Sequence, residues 1–491
     1  MGEPRAAGAT SLRRSVTLAF GYSYVTNAVT FLTSIVLARF FLGPREFGAF
    51  SVCMSGYLFL QTLADFGITR FIVQDRTLGE ARLRAAFAVL VVGNLAIAAM
   101  LLGARNWAAA FFGASEIAAI LPVLAAAGLV TPTFGIGNAL LTRESRFGAL
   151  FVAHVGGVVA AAAVGIGTAA AGAGAMALAW LTVTQALVRG GLIVAARPDV
   201  LRLRPGFGEL RAVLAFGSPV TLVSLYSALL ARLPEILIGR LSGLAAAGLY
   251  GRAAGLAEQL RWALYTGGAT AILPEVARRY HAGESLVGPY LRLTAYVTGL
   301  VWPAAGFMGV LALPLIRLVF GPTWVDMAPL LAALSGAVAI FSMIVLYGDV
   351  LLLQGRMRAY VAIECTHGTI GLGLFVAGAL VGPLAAALSR VLYATIFASA
   401  YVVIMRRVVG HSYSEVAAVY GRSLAASAVA LLPAVAGETL RLTAGLGDAA
   451  AVVPAALLSP LFWYLGLLVA RHPLREEVSR VAAAARRRRG S

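Results

Sequence analysis

The sequence contains no lysine, so all 39 of its basic residues are arginine. Charged residues of any kind are scarce, at 12% of the chain, whereas soluble domains carry about 25%. A soluble protein of 491 residues would also divide into domains joined by polar linkers, and no such linkers occur. These absences together exclude an ordinary soluble protein.

Catalytic patterns are missing as well. The chain has no Gly-rich phosphate loop, no zinc-ligand spacing and no nucleophile elbow. Its two cysteines, Cys53 and Cys365, lie far apart inside apolar runs, which argues against a disulfide framework or a metal site. The segments between apolar runs are short and contain few His, Asp or Glu residues. We therefore predict that the protein is not an enzyme and needs no cofactor.

Long apolar runs dominate the rest of the sequence. Hydrophobic residues make up 60% of the chain, and its mean hydropathy is +0.87. Runs of about 18 or more apolar residues recur along the whole length, and each can cross a hydrocarbon core of about 30 Å. Lipid cannot hydrogen-bond to the backbone, so such runs must be helices. We predict an all-α polytopic membrane protein with about fourteen transmembrane helices, at 16–42, 47–73, 84–104, 117–142, 148–171, 174–196, 211–241, 246–276, 286–316, 326–354, 358–381, 384–408, 414–437 and 450–470.

The positions of the arginines predict how these helices are oriented. Cytoplasmic loops of membrane proteins carry an excess of basic residues. With the amino terminus inside, 26 arginines fall in inward-facing segments and six in outward-facing ones. This asymmetry predicts that both termini are cytoplasmic. It also explains the net charge of +18 without a nucleic-acid partner.

The helix map predicts two six-helix bundles and two additional helices. The predicted segments are a cytoplasmic tail at 1–15, the first bundle at 16–196, a cytoplasmic linker at 197–210, the second bundle at 211–408, two additional transmembrane helices at 409–470 and a basic cytoplasmic tail at 471–491.

A repeated pattern supports two bundles of the same orientation. Near residue 35 an aliphatic helix end closes on Arg39 and is followed by Gly48 and an aromatic residue. About 200 residues later the pattern returns with Arg240, Gly248 and Tyr250. It pairs predicted helices 1 and 2 with helices 7 and 8, and parallel repeats are one architecture that transporters use. Chance similarity between apolar helices is the alternative explanation.

The same segments carry a family resemblance. Wzx-type polysaccharide flippases, of the multidrug/oligosaccharidyl-lipid/polysaccharide exporter superfamily, have similar motifs in their helices 1, 2 and 8. The corresponding segments here are Leu37–Gly48, Leu63–Ile68 and Tyr250–Leu256, the last followed by Leu273–Arg278. The motifs are short, and the rest of the chain resembles the family in helix layout only.

This resemblance implies two six-helix bundles around a central cavity lined chiefly by helices 1, 2, 7 and 8, with two extra helices at the end. It further implies alternating access, with a polyprenyl-pyrophosphate-linked oligosaccharide as the cargo. The expected location is the cytoplasmic membrane of a bacterium. The expected partners are the lipid-linked oligosaccharide, the phospholipid bilayer, and a polysaccharide polymerase and glycosyltransferases of the same pathway.

Three other functions fit parts of the pattern. A cation-coupled multidrug antiporter of the same superfamily would have a compact, acidic and aromatic chamber. A membrane glycosyltransferase or polymerase would need a sizeable charged outward loop, and none is visible. A flippase for a peptidoglycan precursor is poorly separated by sequence from one for a surface glycan.

Two arginines inside predicted spans are the leading site candidates. An ionisable group at the centre of a span costs roughly 2.5–3.5 kcal/mol on insertion scales, so it usually faces a cavity or a partner. Arg232 and Arg252 lie about 12 and 9 Å below the outer ends of helices 7 and 8, at about 1.5 Å per residue. Arginine donates two parallel hydrogen bonds to phosphate, so we predict that both bind the anionic head of the cargo. The alternative is Arg–Glu pairing that locks the two helices together.

Further charged residues complete the predicted substrate site. Arg261 and Glu258 are predicted to contribute, although they lie three residues apart and can instead pair with each other. Arg292 and Arg390 are predicted to line the cavity.

Asp65 and Glu235 are the candidate ion-coupling residues. Asp65 lies too far from the cytoplasmic end of helix 2 to reach water easily, and its alternative role is an ion pair with Arg70. Glu235 lies one turn from Arg232 and can compensate its charge.

A last set of polar residues lies near predicted helices 10 and 11. We expect Asp349 and Glu364 to form solvated ion pairs with Arg356 and Arg358. His367 is expected to make an interhelical hydrogen bond, and a role as a proton carrier is its alternative.

Overall fold

The computed structural model describes the backbone of residues 7–75 and 77–480, and the side chains of these ranges except 7–20, 22, 219–220 and 265–271. Within these ranges every regular element is a helix and no β-strand occurs, which confirms the all-α prediction. Twelve helical segments of the described part are long and apolar enough to cross a membrane. The count of fourteen and the cytoplasmic termini stay predictions, and residues 1–6 and 481–491 of the predicted tails lie outside the described residues.

The chain forms two compact units, an N-terminal unit up to Gly248 and a C-terminal unit from Leu249 onwards. The predicted linker contains a short 3-10 helix, Pro198–Arg202, and the predicted domain limits stay a prediction. The helices of the N-terminal unit are α1 (Ala7–Phe40), α2 (Pro44–Asp65), α3 (Ile68–Gln74), α4 (Glu80–Phe112), α5 (Glu116–Arg143), α6 (Phe147–Ala170), α7 (Met176–Ala196) and α8 (Leu210–Leu241). The next helix, α9 (Leu244–His281), begins in this unit and continues into the other.

The C-terminal unit contains the remaining helices. They are α10 (Val287–Val310), α11 (Ala312–Val319), α12 (Ala328–Phe341), α13 (Tyr347–Leu353), α14 (Met357–Val381), α15 (Pro383–Val409), α16 (Tyr413–Ala444) and α17 (Asp448–Val469). Within this unit α16 packs on α10 and α17, and α15 packs on α12 and α14. In the N-terminal unit, α8 packs on α2 and α4, and α5 packs on α4 and α7.

Three spans predicted as continuous helices are interrupted in the structure. The second predicted span breaks after α2, where Phe66 and Gly67 have φ angles of 44° and 68°. The ninth breaks at Leu311, between α10 and α11, and the tenth breaks between α12 and α13, where Leu346 has φ of 57°. A residue in the left-handed region turns its successor away from the helix axis and ends the hydrogen-bond ladder. Phe66 and Leu346 are not glycines, so composition did not reveal these breaks.

A buried tyrosine replaces the hydrogen bonds lost between α12 and α13. The backbone N–H of Val345 donates to the Tyr401 hydroxyl oxygen at 2.9 Å, and that hydroxyl donates to the Val345 carbonyl. Tyr401 is completely buried. A buried backbone group without a partner is costly, so this side chain makes the break tolerable.

Two glycines of the repeated pattern meet inside the N-terminal unit. Gly48 lies in the first turns of α2, and Gly248 lies in the first turns of α9. A Cβ atom added to Gly48 would overlap the carbonyl oxygen of Leu244, and one added to Gly248 would overlap that of Pro44. The starts of the two helices therefore pack backbone against backbone, an approach that only glycine permits.

The segment after α17 is packed and not only a polar tail. His472 is completely buried, and its Nε2 atom lies 3.0 Å from the Ser423 hydroxyl on α16. That hydroxyl lies 2.8 Å from the Thr298 hydroxyl on α10. The Tyr296 hydroxyl of α10 donates to Glu477 at 3.1 Å. The described part of the predicted tail is therefore anchored on α10 and α16.

Candidate functional site

A carboxylate and two hydroxyl groups meet between α2 and α8. Ser51 and Ser55 lie four residues apart on α2 and therefore share one face of the helix. Both hydroxyls donate to Oε2 of Glu235 on α8, Ser51 at a distance of 2.6 Å. Glu235 is half-buried and Ser55 is buried. The carboxylate of this candidate span is thus held by a neighbouring helix. The serine pair was missed at the sequence level, although its spacing within an apolar run was a signal.

Arg232 lies three residues before Glu235 on the same helix and is half-buried. No ion pair or hydrogen bond joins it to any residue that the structure describes. The compensation expected from Glu235 is not made by direct contact, because that carboxylate binds the serines of α2. Arg232 lies nine residues from the end of the candidate span Thr221–Leu241, which corresponds to about 14 Å of helix.

Two further charged groups of the N-terminal unit, Arg240 and Asp65, have local partners. The guanidinium of Arg240, at the end of α8, lies 4.9 Å from the centre of the Phe111 ring, a cation–π geometry. Asp65 is the last residue of α2 and is exposed. Its carboxylate accepts a hydrogen bond of 3.2 Å from the Thr69 hydroxyl, and no ion pair with Arg70 is formed in the described structure. The side chain therefore caps the break between α2 and α3.

In the C-terminal unit, Glu258 and Arg261 form the pair that their spacing allows. Arg261 Nε donates to both carboxylate oxygens, at 3.1 and 2.9 Å, and Nη2 also contacts Oε1. Arg252, on the same helix, is half-buried. Because Arg232 belongs to the N-terminal unit and Arg252 to the C-terminal unit, their predicted common depth stays a prediction.

The last two predicted residues lie apart from each other. Arg292 is exposed, and its Nη1 atom lies 3.4 Å from Oε2 of Glu275, a carboxylate that also accepts a 3.1 Å hydrogen bond from Arg279. The guanidinium of Arg390 lies 5.7 Å from the centre of the Phe341 ring and 5.4 Å from that of Tyr393. Neither arginine contacts Glu258 or Arg261 within the described structure.

Nothing in the described ranges groups three His, Cys, Asp or Glu side chains in a way that could hold a metal ion. The available chemistry is therefore that of an arginine without a carboxylate partner, a carboxylate bound to serines, and several Arg–Glu pairs. Such a set can bind and release an anionic group.

Residues 36–329, more than half of the chain, match the model of a family described as polysaccharide biosynthesis protein. The chain belongs to this family. The match covers α2 and α8, with the serines, Arg232 and Glu235, and it extends through Arg292. It ends before Arg390. No curated protein matches the sequence significantly.

Solved transporters share the fold of this family member. The inward closed conformation of the lipid II flippase MurJ superposes with a TM-score of 0.76 at 10% sequence identity, over 93% of this chain and 99% of that one. An inward-facing multidrug resistance MATE family transporter of the MOP superfamily gives a TM-score of 0.56 at 15% identity, over 78% of this chain and 96% of that one. These structures confirm the predicted fold, and the family match confirms the predicted resemblance to proteins of polysaccharide synthesis.

Proposed function

We propose that this protein is a flippase for a polyprenyl-pyrophosphate-linked oligosaccharide or a related anionic lipid-linked glycan. It acts by alternating access in the cytoplasmic membrane of a bacterium and catalyses no covalent chemistry. Family membership supports a place in polysaccharide synthesis, and the fold shared with a lipid II flippase supports a lipid-linked cargo. Its partners are the cargo, the bilayer, and a polymerase and glycosyltransferases that act on the same glycan.

The observation that carries the proposal is Arg232. A guanidinium in a membrane span is costly unless a counter-charge or water compensates it. Within the described structure no carboxylate contacts Arg232, and the nearest acid along α8, Glu235, is already bound by Ser51 and Ser55. An anionic ligand that arrives during transport supplies the missing counter-charge. A pyrophosphate fits this role because its oxygens accept the two parallel hydrogen bonds that a guanidinium donates.

The other charged residues have graded roles in this proposal. Arg252 is the second arginine proposed to bind the anionic head of the cargo. Arg261 and Arg292 already bind carboxylates, so they contact the glycan head only by exchanging partners. Arg390, stacked on aromatic rings, and Glu258 border the path of the cargo, while Asp65 and Glu235 are candidates for ion coupling in the N-terminal unit.

The test measures lipid-linked glycan in a strain that lacks the gene and carries the wild type, Arg232→Ala, Arg232→Lys or Arg240→Ala. A charge-assisted hydrogen bond contributes about 1.5–3 kcal/mol, so we expect Arg232→Ala to slow clearance of the cytoplasmic intermediate by about 10- to 100-fold. Arg232→Lys retains the charge and is expected to lose less. Membrane abundance is measured by immunoblot for every variant.

Arg240→Ala is the matched control, because Arg240 lies on the same helix but stacks on Phe111 at its end. It should clear the intermediate within about twofold of the wild type. Equal clearance by Arg232→Ala and Arg240→Ala would remove Arg232 from the cargo site. If deletion leaves every surface glycan and lipid intermediate unchanged, the flippase proposal fails, and sensitivity to cationic drugs becomes the measurement for the multidrug alternative.

A further inference from the structure

Four polar side chains form a continuous chain of contacts inside the C-terminal unit. The Tyr347 hydroxyl, on α13, donates to Oε1 of Glu364 on α14 at 2.9 Å. Oε2 of Glu364 lies 3.3 Å from Nε2 of His367, one turn along α14. Nδ1 of His367 lies 2.6 Å from the hydroxyl of Tyr393 on α15. The solvated ion pair predicted for Glu364 is wrong, because the carboxylate faces these side chains instead of Arg356 and Arg358.

The chain of contacts lies within candidate membrane spans. Met357–Val381 and Pro383–Val409 both qualify as spans, so Glu364 and His367 are ionisable groups at membrane depth. Such groups are costly, usually pair with one another, and mark substrate, ion or proton pathways. The His367 side chain is 17% exposed and that of Glu364 is 38% exposed, so the glutamate is the more accessible of the two groups.

Apolar surfaces close the histidine side of the pair. The imidazole stacks on the Phe397 ring with 3.8 Å between the ring centres. A groove of about 300 Å³ borders His367 and is lined almost entirely by aliphatic and aromatic side chains, among them Ile363, Ile370 and Ile396. A charge on His367 is therefore stabilised chiefly by Glu364.

One ring nitrogen of His367, Nε2, has no hydrogen-bond partner among the described residues and can take up a proton. Its Nε2 atom is buried and has no hydrogen-bond partner, since the contact with Glu364 has ion-pair distance but not hydrogen-bond alignment. A neutral imidazole carries a single N–H. When Nδ1–H donates to Tyr393, Nε2 presents a lone pair to a carboxylate oxygen. A proton on Nε2 turns this repulsive contact into an imidazolium–carboxylate pair.

We propose that Glu364 and His367 form a proton-binding site, and that its occupancy is coupled to the transport cycle. One proton enters at Glu364, the more exposed of the two groups, and bonds to Nε2 of His367, and the net charge of the pair changes from −1 to 0. Release returns the proton along the same route. The coupling rests on the proposed function, whereas proton binding does not.

The neighbouring elements supply few competing groups. On α13 the other titratable residue is Asp349. On α14 it is Tyr360, whose ring centre lies 5.7 Å from that of Tyr347. On α15 the charged neighbour is Arg390, stacked on Tyr393, while Tyr401 meets the ring of Tyr347. From α12 the contact is the apolar Phe341, whose ring meets that of Tyr393 edge to face. Glu364 is thus the acid in direct contact with His367 among the described residues.

Tyr347 links the site to a break in the fold. It is the first residue of α13 and follows Leu346, which has the left-handed conformation that ends the preceding segment. In the deprotonated pair the carboxylate is fully available to the Tyr347 hydroxyl. In the protonated pair the carboxylate is shared with the imidazolium. Proton binding therefore changes the strength of the hydrogen bond between Glu364 of α14 and Tyr347 at the start of α13.

The first test measures proton binding by the full-length protein in detergent. The 15N NMR signals of its five histidines report the binding. His367→Asn identifies the resonance. An opposite charge within about 4–6 Å favours the charged imidazole, so at a fixed pH Glu364→Gln should reduce the share of the doubly protonated form in the 15N signal of His367. His154→Asn is the matched control, since His154 pairs with Asn138 in the N-terminal unit. An unchanged 15N signal of His367 in Glu364→Gln overturns the site.

The second test measures coupling in proteoliposomes with a fluorescent short-chain polyprenyl-pyrophosphate disaccharide as the probe. An imposed pH gradient should accelerate translocation by the wild type and by His154→Asn. His367→Asn and Glu364→Gln should lose this acceleration and retain gradient-free exchange within about twofold. Equal acceleration in all variants overturns the coupling. Absence of any exchange by the wild type contradicts the proposed function, and the NMR measurement still decides the proton site.

Discussion

Substitution of Gly48 by alanine tests the backbone contact between α2 and α9. The added Cβ would overlap the carbonyl oxygen of Leu244 and would lie 3.0 Å from the backbone nitrogen of Gly248. Ordinary contacts between such atoms are about 3.5–4.0 Å. The obstructing atoms belong to the backbone, so no side-chain rotation can relieve the overlap, and the two helix starts must separate.

The cost follows from this geometry. Overpacking by a single carbon in a packed interior costs about 1–3 kcal/mol, and backbone obstruction places Gly48→Ala near about 3 kcal/mol. Gly56→Ala is the matched control on the same helix, because a Cβ there meets nothing within 4 Å. It should be neutral or stabilising by up to about 1 kcal/mol, since alanine favours helix more than glycine does.

Thermal unfolding of the purified protein in detergent measures the difference. We expect Gly48→Ala to melt about 5 °C or more below the wild type and Gly56→Ala at or above it. Gly248→Ala should behave like Gly48→Ala, because its Cβ would overlap the Pro44 carbonyl oxygen. If Gly48→Ala and Gly56→Ala melt at the same temperature, the backbone contact described here is not present in the protein.

Three further predictions concern packing and pH. Tyr401→Phe removes both hydrogen bonds to Val345 and should lower the free energy of unfolding by about 1–3 kcal/mol, whereas Tyr413→Phe, at an exposed tyrosine, should leave the melting temperature unchanged. Burial, with the charge of Arg422 as a smaller cause, lowers the pKa of His472 to about 4. The unfolded chain binds this proton near pH 6.5, so the neutral imidazole stabilises the fold above that pH. This stability, about 3 kcal/mol, should be lost as the pH falls from about 6.5 to about 4, and melting curves of His472→Gln should lack that part of the pH dependence. Gly217→Ala should destabilise by about 1–3 kcal/mol, because its Cβ would overlap the Phe66 carbonyl oxygen, and a wild-type melting temperature would contradict the close packing of α8 on the α2–α3 break.

The helices were predictable because each apolar run has to span the bilayer, and length and hydropathy alone identify such runs. The breaks were not, since Phe66 and Leu346 take left-handed conformations that their residue types disfavour. Tertiary contacts determine these conformations, as the Tyr401 hydroxyl on Val345 illustrates.

The candidate site was predictable only where spacing along one helix decides it. Glu258 and Arg261 pair because they lie three residues apart, and the sequence already shows that. Glu235 instead finds Ser51 and Ser55 on a different helix, and a single sequence contains no record of that approach. Glu364 likewise contacts His367 and Tyr347 and not Arg356 or Arg358, the arginines that the sequence analysis expected as its partners.

The anchored segment after α17 has a consequence for biosynthesis. Domains of a growing chain generally complete in the order in which they leave the ribosome. The N-terminal unit can close its contacts once residue 248 has been inserted. Tyr296 and Thr298 of α10, however, are part of contacts with Glu477 and, through Ser423, with His472. The C-terminal unit therefore stays incomplete in the bilayer while nearly 180 further residues are translated, a period in which its polar groups depend on water, lipid headgroups or the insertion machinery.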